Sequence, residues 1–243
     1  MKTIHIHQNE IVRDQLDTQK YSFIKAENFN IPTEMQSDFN AFKADWENLE
    51  ADDFLKEGAS FRFRRFGLFE YQPAQDLIRP SLEDNYFQAE DINEYAGGIK
   101  RRFAPLSEDA FQNPFVLELI KANFRHFPID ENRKKLSWIV DVHQVRILGR
   151  HEELGEATPE GIHHDGEEFI SVHLIKRENV KGGLSGIYNN DRKLIESLTL
   201  NDPLDSILMW NPFVMHGVNP IQPENPDHAA IRDTLLFGYN PQN

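Results

Sequence analysis

The sequence predicts a mainly β protein with flanking helices, its strands forming an antiparallel sandwich or jelly roll. Three observations carry this. Beyond residue 136 the chain breaks into short β-rich runs, SWIVDVHQVRIL, EFISVHLIK, GGLSGIYNN, SILMWNPF and DTLLFGYN, separated by Gly, Asn, Pro and Asp. Helices are absent between most of these runs, as in antiparallel barrels. Before residue 136 apolar residues recur at helical intervals, so helices and a few strands would buttress the core. The expected organisation is a single domain over 1–243, with residues 1–135 as the buttress and 136–243 as most of the jelly-roll core.

The elements follow in order. The start, MKTIHIHQNE, lacks the apolar stretch of a signal peptide, and no apolar run approaches membrane-spanning length. A soluble, cytoplasmic protein is therefore expected. His5 and His7 read as a chance pair in a fraying terminus. Thr33 reads as the N-cap of a helix on which Met35, Phe39, Phe42 and Trp46 share a face. FRFRRF (61–66) and IKRRF (99–103) are basic runs, either solvated strand faces or a source of arginines for a small anion. A second helix opens at Asn113 with Pro114 in its first turn, carries Phe115, Leu119 and Phe124, and stops before Pro128. In the β-rich half, residues 191–198 read as one helical interruption.

Composition narrows the chemistry. Forty acidic residues against 26 basic ones give a formal charge of −14, which would repel a phosphate backbone, so nucleic acid is not an expected partner. The chain has no cysteine, which excludes disulfides, thiolate zinc sites and cysteine nucleophiles. A bound metal would need His, Asp or Glu ligands, a set suited to zinc, iron or manganese.

Residues 161–169, GIHHDGEEF, place such side chains at the mouth of an expected strand. Alternation on a strand sends His163 and Asp165 to one face and His164 to the other. A third ligand is offered by His216 in WNPFVMHGVNP, after an apolar strand and before a turn. Two imidazoles and one carboxylate leave several coordination positions open, the arrangement of non-haem iron(II) oxygenases; a structural zinc would close its shell with a fourth protein ligand. Further on, AIRDTLLFGY puts Arg232 and Thr234 on one strand face, a guanidinium fork and a hydroxyl able to grip the far carboxylate of 2-oxoglutarate.

These stretches, together with VHQVR (142–146), the GG of KGGLSGIYNN, MHGVNP (215–220) and AGGIKRRF (96–103), resemble the 2-oxoglutarate/iron(II) dioxygenase family that includes bacterial L-isoleucine dioxygenase and related free amino-acid hydroxylases. The resemblance implies a double-stranded β-helix, cupin-like in outline. It implies His163, Asp165 and His216 as iron ligands and Arg232 as the anchor of 2-oxoglutarate. It also implies iron(II), 2-oxoglutarate and O2 as cofactors, and hydroxylation of an unactivated C–H bond of a free L-amino acid with release of succinate and CO2. Two positions depart from the family pattern: Ile147 replaces an aromatic residue after HQVR, and Gly166 replaces an acid after the aspartate.

Other residues stay open at this level. His143 could line the cosubstrate pocket with Val145 and Ile147, or be a core histidine. Glu167 shares the parity of the two ligands and could hold a substrate ammonium, or be solvated. Arg65 and Arg101 are the candidates for a substrate carboxylate, against a surface reading. His164 and His173 read as supporting or structural residues, and Asn211 with Pro212 as a turn before His216. Two other functions remain in view: hydroxylation of a protein or peptide side chain, which needs an open groove, and a non-catalytic metal- or ligand-binding jelly roll. Oligomeric state leaves no trace in the sequence.

Overall fold

The computed structural model describes residues 3–55, 59–81, 86, 87, 98 and 100–242. Met1 and Lys2, and Ala96, Gly97 and Ile99 of the AGGIKRRF stretch, lie outside the described residues. The first half contains β1 (His5–Ile6), α1 (Asn9–Thr18), β2 (Tyr21–Ile24), β3 (Phe29–Asn30), α2 (Gln36–Ala44) and β4 (Arg62–Gln72). It continues through β5 (Leu77–Pro80), β6 (Tyr86–Phe87), β7 (Lys100–Arg101), β8 (Ala104–Pro105), α3 (Glu108–Gln112) and α4 (Pro114–Phe124). The second half supplies β9 (Trp138–Gly149), β10 (Phe169–Glu178), β11 (Val180–Gly182), β12 (Leu184–Tyr188) and β13 (Leu194–Thr199). After these come β14 (Ser206–Trp210), β15 (Met215–Val218), β16 (Ile221–Pro223) and β17 (Ala230–Pro241).

The main sheet runs β2-β14-β10-β17-β9-β4-β5 with all neighbours antiparallel, and β8 adds to β4 in parallel. Strands from both sides of residue 136 therefore share it. A second layer is built from β13-β12-β15 and the β11-β16 pair. Single bridges from His163 to His216 and from Gly155 to Ile221 stitch the long β9–β10 connection onto that layer. The two layers make the jelly roll, and the cavity between them takes lining residues from both.

Alternation along the strands separates two cores. On the outer face of the main sheet, Phe69, Trp138, Val140, Val142, Leu235, Phe237 and Tyr239 bury against Phe115, Leu119 and Ile120 of α4 and Phe39, Phe42 and Trp46 of the α2 region. Asn113 caps α4 as the sequence indicates: its Oδ1 accepts from the backbone N–H of Phe115 at 2.9 Å, and Pro114, which has no N–H, needs no acceptor in the first turn. On the inner face, Ile170, Val172, Leu174, Ile207 and Met209 pack with Ile187 of the second layer. Each fully buried aliphatic chain of this kind contributes roughly 1.5–3 kcal/mol from its removal from water.

Three local expectations are corrected. Residues 191–198 are not a helix: β13 pairs antiparallel with β12 after a turn in which Asn189 Oδ1 accepts from the N–H groups of Asp191 and Lys193. Leu194, Ile195 and Leu198 have helical spacing, but the ladder to β12 satisfies the backbone and leaves Leu194 and Ile195 exposed. Thr33 does not cap α2; it opens a 3-10 turn, Thr33–Met35, that winds directly into the helix, with the Met35 N–H on the Pro32 carbonyl. The HHD stretch is loop rather than strand, pairing with the second layer by the single backbone bridge at His163.

Candidate metal centre and cosubstrate pocket

His163 and His216 meet through a reciprocal pair of backbone hydrogen bonds, each 3.0 Å, which brings their rings to a centroid separation of 4.4 Å. Asp165 is fixed by Asn211. The Asn211 Oδ1 accepts from the Asp165 N–H at 3.2 Å, and its Nδ2 donates to the carbonyls of Asp165 at 2.9 Å and Glu167 at 2.8 Å. Asn211 thus does more than make the turn that the sequence suggests. It is buried, and it shapes the loop that presents the carboxylate. The His164 Nδ1 lies 2.8 Å from the Asn211 carbonyl, so His164 supports this loop and points away from the other two imidazoles.

The result is one convergent candidate ligand set. Asp165 Oδ1 lies 3.5 Å from His163 Nε2, and Oδ2 lies 3.4 Å from His216 Nε2. A ligand atom from each of the three residues falls within 4.8 Å of the others, and among the described residues no further group joins them. Two neutral nitrogens and one anionic oxygen on one side of a point, with a cavity on the other, suit an octahedral iron(II) that needs open positions.

The electrostatics fit. Burial pulls the His163 imidazole down, but the hydrogen bond and charge of Asp165, with help from Glu160, overcome it and push it up to about 9. Burial and the neighbouring His163 push His216 down to about 4. Asp165 is held well below its ordinary value, since His216 and His163 outweigh its burial. In the metal-free protein His163 therefore carries a proton at neutral pH, which an ion must displace. Loading at pH 7.5 is expected to release about one proton, measurable in weak buffer with an indicator dye. The sign is fixed: the folded value lies above the unfolded 6.5, so the ion pair's stabilisation is complete below pH 6.5 and lost as pH rises through about 9. Metal affinity should climb across the same window. An affinity flat from pH 6 to 9 would remove His163 from the ligand set.

The cavity beside the three ligands measures about 100 Å³. Arg232 and Thr234 line it, and their orientation has a cause. Asp233, between them, turns to the opposite face of β17 and takes Arg146 of the VHQVR stretch in a two-pronged ion pair, 2.8 and 2.9 Å. Strand alternation then sends residues 232 and 234 inward. Arg232 is 3% exposed, and its Nε has no hydrogen-bond partner among the described residues. A buried guanidinium short of acceptors fits a carboxylate ligand.

The other candidates divide. Arg101 is buried and lines this cavity. Arg65 does not: its guanidinium is held by Glu50 at 2.8 Å and Asp45 at 3.3 Å outside the cavity. Alternation along β4 instead turns Arg62 and Arg64 inward, where Asp52 takes Arg62 Nε at 2.6 Å. His143 sits away from Arg232, in a smaller recess with Asp141, Asp165, Glu167 and Gly238; its Nε2 lies 3.4 Å from Asp141. It stands two residues down β9 from Val145, which faces the main cavity. In that recess Glu167 is pushed well above the ordinary carboxylate range by burial and by the charges of Asp141 and Asp165. His173 is structural, fully buried on the outer face between Asn123 and Ser206.

Among the lining residues that sequence reasoning missed are Arg62, Arg64, Glu160 and Ser185. The alternation of FRFRRF contained the first two. Glu160, whose Oε1 comes to 3.3 Å from His163 Nε2, had no pattern to reveal it. Among the described residues no helix is long and apolar enough to cross a membrane.

Comparison with known proteins agrees with this geometry. The chain is 28% identical over 219 residues to an L-isoleucine-4-hydroxylase of Bacillus thuringiensis, covering 88% of this chain and 85% of that protein. It is 24% identical over 240 residues to a 3(1)-hydroxy-L-isoleucine 4-dioxygenase of Pantoea ananatis, covering 92% and 93%. The crystal structure of IDO from Bacillus thuringiensis superposes with a TM-score of 0.80 at 21% identity, over 97% of this chain and 100% of that one. A bsmA homologue from Methylobium petroleophilum gives 0.80 at 26% identity, over 96% and 92%. A sequence profile of the 2OG-Fe dioxygenase family matches residues 43–238, and the chain belongs to that family, whose enzymes use iron(II), 2-oxoglutarate and dioxygen.

Proposed function

We propose that this enzyme hydroxylates an unactivated C–H bond of a free L-amino acid. His163, Asp165 and His216 would hold the iron, and Arg232 with Thr234 the far carboxylate of 2-oxoglutarate. One observation carries the reading: a single cavity beside the three ligands is lined by Arg232 and also by Arg62, Arg64 and Arg101 from other strands. Two anions can therefore be held in it at once, the cosubstrate at Arg232 and a substrate carboxylate toward Arg101. The hydroxylases of isoleucine and its derivative named above support an amino acid as that substrate.

Held at that site, iron(II) with 2-oxoglutarate and dioxygen would supply the oxidising chemistry for inserting one oxygen atom into the C–H bond, with succinate and CO2 as coproducts. The protein residues position. His163, Asp165 and His216 would hold the metal, with the cavity beside them left for cosubstrate and substrate. Arg232, with Thr234, would hold 2-oxoglutarate by its far carboxylate. Val145, Ile147, Val172 and Ile187 give the cavity an apolar wall that limits water around the reacting atoms. The substrate ammonium would be taken toward Glu167, in the recess that adjoins Asp165. No general acid or base is required of the protein.

The test is a screen of free amino acids with the iron(II)-loaded enzyme, 2-oxoglutarate and ascorbate, read by a mass gain of one oxygen matched to succinate. The corresponding amines, lacking the carboxylate, should not react. Oxygen insertion into peptides but into no free amino acid would replace this reading with side-chain hydroxylation of proteins.

A further inference from the structure

We propose that Ser185 and Arg177 complete the pocket for the far carboxylate of 2-oxoglutarate, Ser185 as a direct donor and Arg177 as a positioning residue behind Arg232. This rests on the assignment of Arg232 as the anchor.

Three buried donor atoms without an acceptor among the described residues occur in one neighbourhood: Arg232 Nε, Arg177 Nη1 and Ser185 Oγ. Buried polar groups are almost always paired, so such orphans call for a ligand. Arg177 stands directly across the β10–β17 ladder from Arg232. Like charges opposite one another on a sheet repel, and here one of the two guanidiniums is almost fully buried.

The connection from β11 to β12 is built around this pair. Arg177 Nη2 donates to the carbonyls of Val180 at 3.0 Å and Gly182 at 2.8 Å. Gly183 follows with φ of +72°; a methyl group there would stand 3.0 Å from Arg177 Nη1 and 3.6 Å from Arg232 Cδ. Glycine thus provides both the left-handed backbone and the room for the two side chains to meet. Two residues on, Ser185 is 3% exposed and lines the cavity that holds Arg232. Arg177 does not line it, so it acts through the charge it sets beside Arg232 and through the turn that delivers Ser185. Water could satisfy the three donors. Only an anion also offsets two adjacent positive charges, and the cosubstrate's terminal carboxylate is the anion expected beside Arg232.

The experiment is anaerobic calorimetry on the iron(II)-loaded protein, which needs no turnover and no amino acid. Dissociation constants are measured for 2-oxoglutarate and for 2-oxopentanoate, which has the same chain length without the far carboxylate. Ser185→Ala should weaken 2-oxoglutarate about tenfold, the value of one charge-assisted bond, Arg177→Gln should weaken it to a smaller extent through the charge lost beside Arg232, and both should leave 2-oxopentanoate unchanged. Arg177→Lys should recover part of the loss, because it keeps the charge and drops the fork. Equal weakening of both keto acids would reduce these residues to supports of the fold, and no change in either variant would place the orphan donors outside the pocket. Arg232→Ala is the control: if it too leaves the preference for 2-oxoglutarate intact, the anchor assignment fails, and with it the premise.

Discussion

Replacement of Asp165 by alanine should abolish oxygen insertion and succinate formation while the protein stays folded. Asp165 is the only anion of the ligand set, placed 3.5 Å from one imidazole and 3.4 Å from the other. Removing one partner from a buried charged cluster costs about 3–5 kcal/mol. At 1.4 kcal/mol per tenfold, metal affinity should fall by roughly 10²–10³. The loop itself should survive, because Asn211 holds it by the backbone N–H of Asp165 and by the carbonyls of Asp165 and Glu167, none of which the substitution removes. A second effect follows from the electrostatics. Without Asp165 the largest influence raising His163 is gone, so the proton released on metal loading at pH 7.5 should vanish as well. Metal titration of the folded variant, followed by proton release, measures both. Metal affinity and turnover close to those of the parent protein would show that iron is held elsewhere.

Arg232→Ala should be nearly as damaging, through the cosubstrate and not the metal. Burial and the nearby charge of Arg177 push the Arg232 guanidinium down to about 10, with Asp233 partly offsetting them. It still carries its charge at neutral pH. A carboxylate bound in that pocket without it would lose its only buried cation on β17, a loss of about 3–5 kcal/mol, or roughly 10²–10³ in affinity for 2-oxoglutarate. Metal affinity should be unchanged. The variant should remain folded, since the buried pair that anchors this part of β17 is Arg146–Asp233, which points to the other face. Steady-state kinetics with 2-oxoglutarate varied, set beside metal binding, separate this outcome from general damage. A Michaelis constant for 2-oxoglutarate within threefold of the parent value would relocate the anchor.

What could be read without coordinates was what repeats locally or is fixed by chain order. The helix at Pro114–Phe124 follows from a cap and a proline. The β-rich second half follows from alternation and turn residues, and the convergence of His163, Asp165 and His216 beside a cavity lined by Arg232 and Thr234 is expected from their order along it. The readings that failed were those in which neighbours far along the chain compete. LIESLT has a helical pattern, and becomes a strand because β12 offers a ladder. In FRFRRF, composition cannot say which arginines turn inward. The register of β4 against β9 sets Arg62 opposite Ile147 and Arg64 opposite Val145, while Asp45 and Glu50 capture Arg65.

The sequence by itself determined the chemistry this protein can perform, because ligand type, charge and strand period are properties of single residues and their near neighbours. Tertiary structure alone decided which side chains share the cavity: that Asn211 shapes the Asp165 loop, that Arg146 and Asp233 turn Arg232 inward, and that Arg177 stands behind it. Such choices depend on strand register and on which buried polar groups find partners, and both are settled only when distant segments pack together.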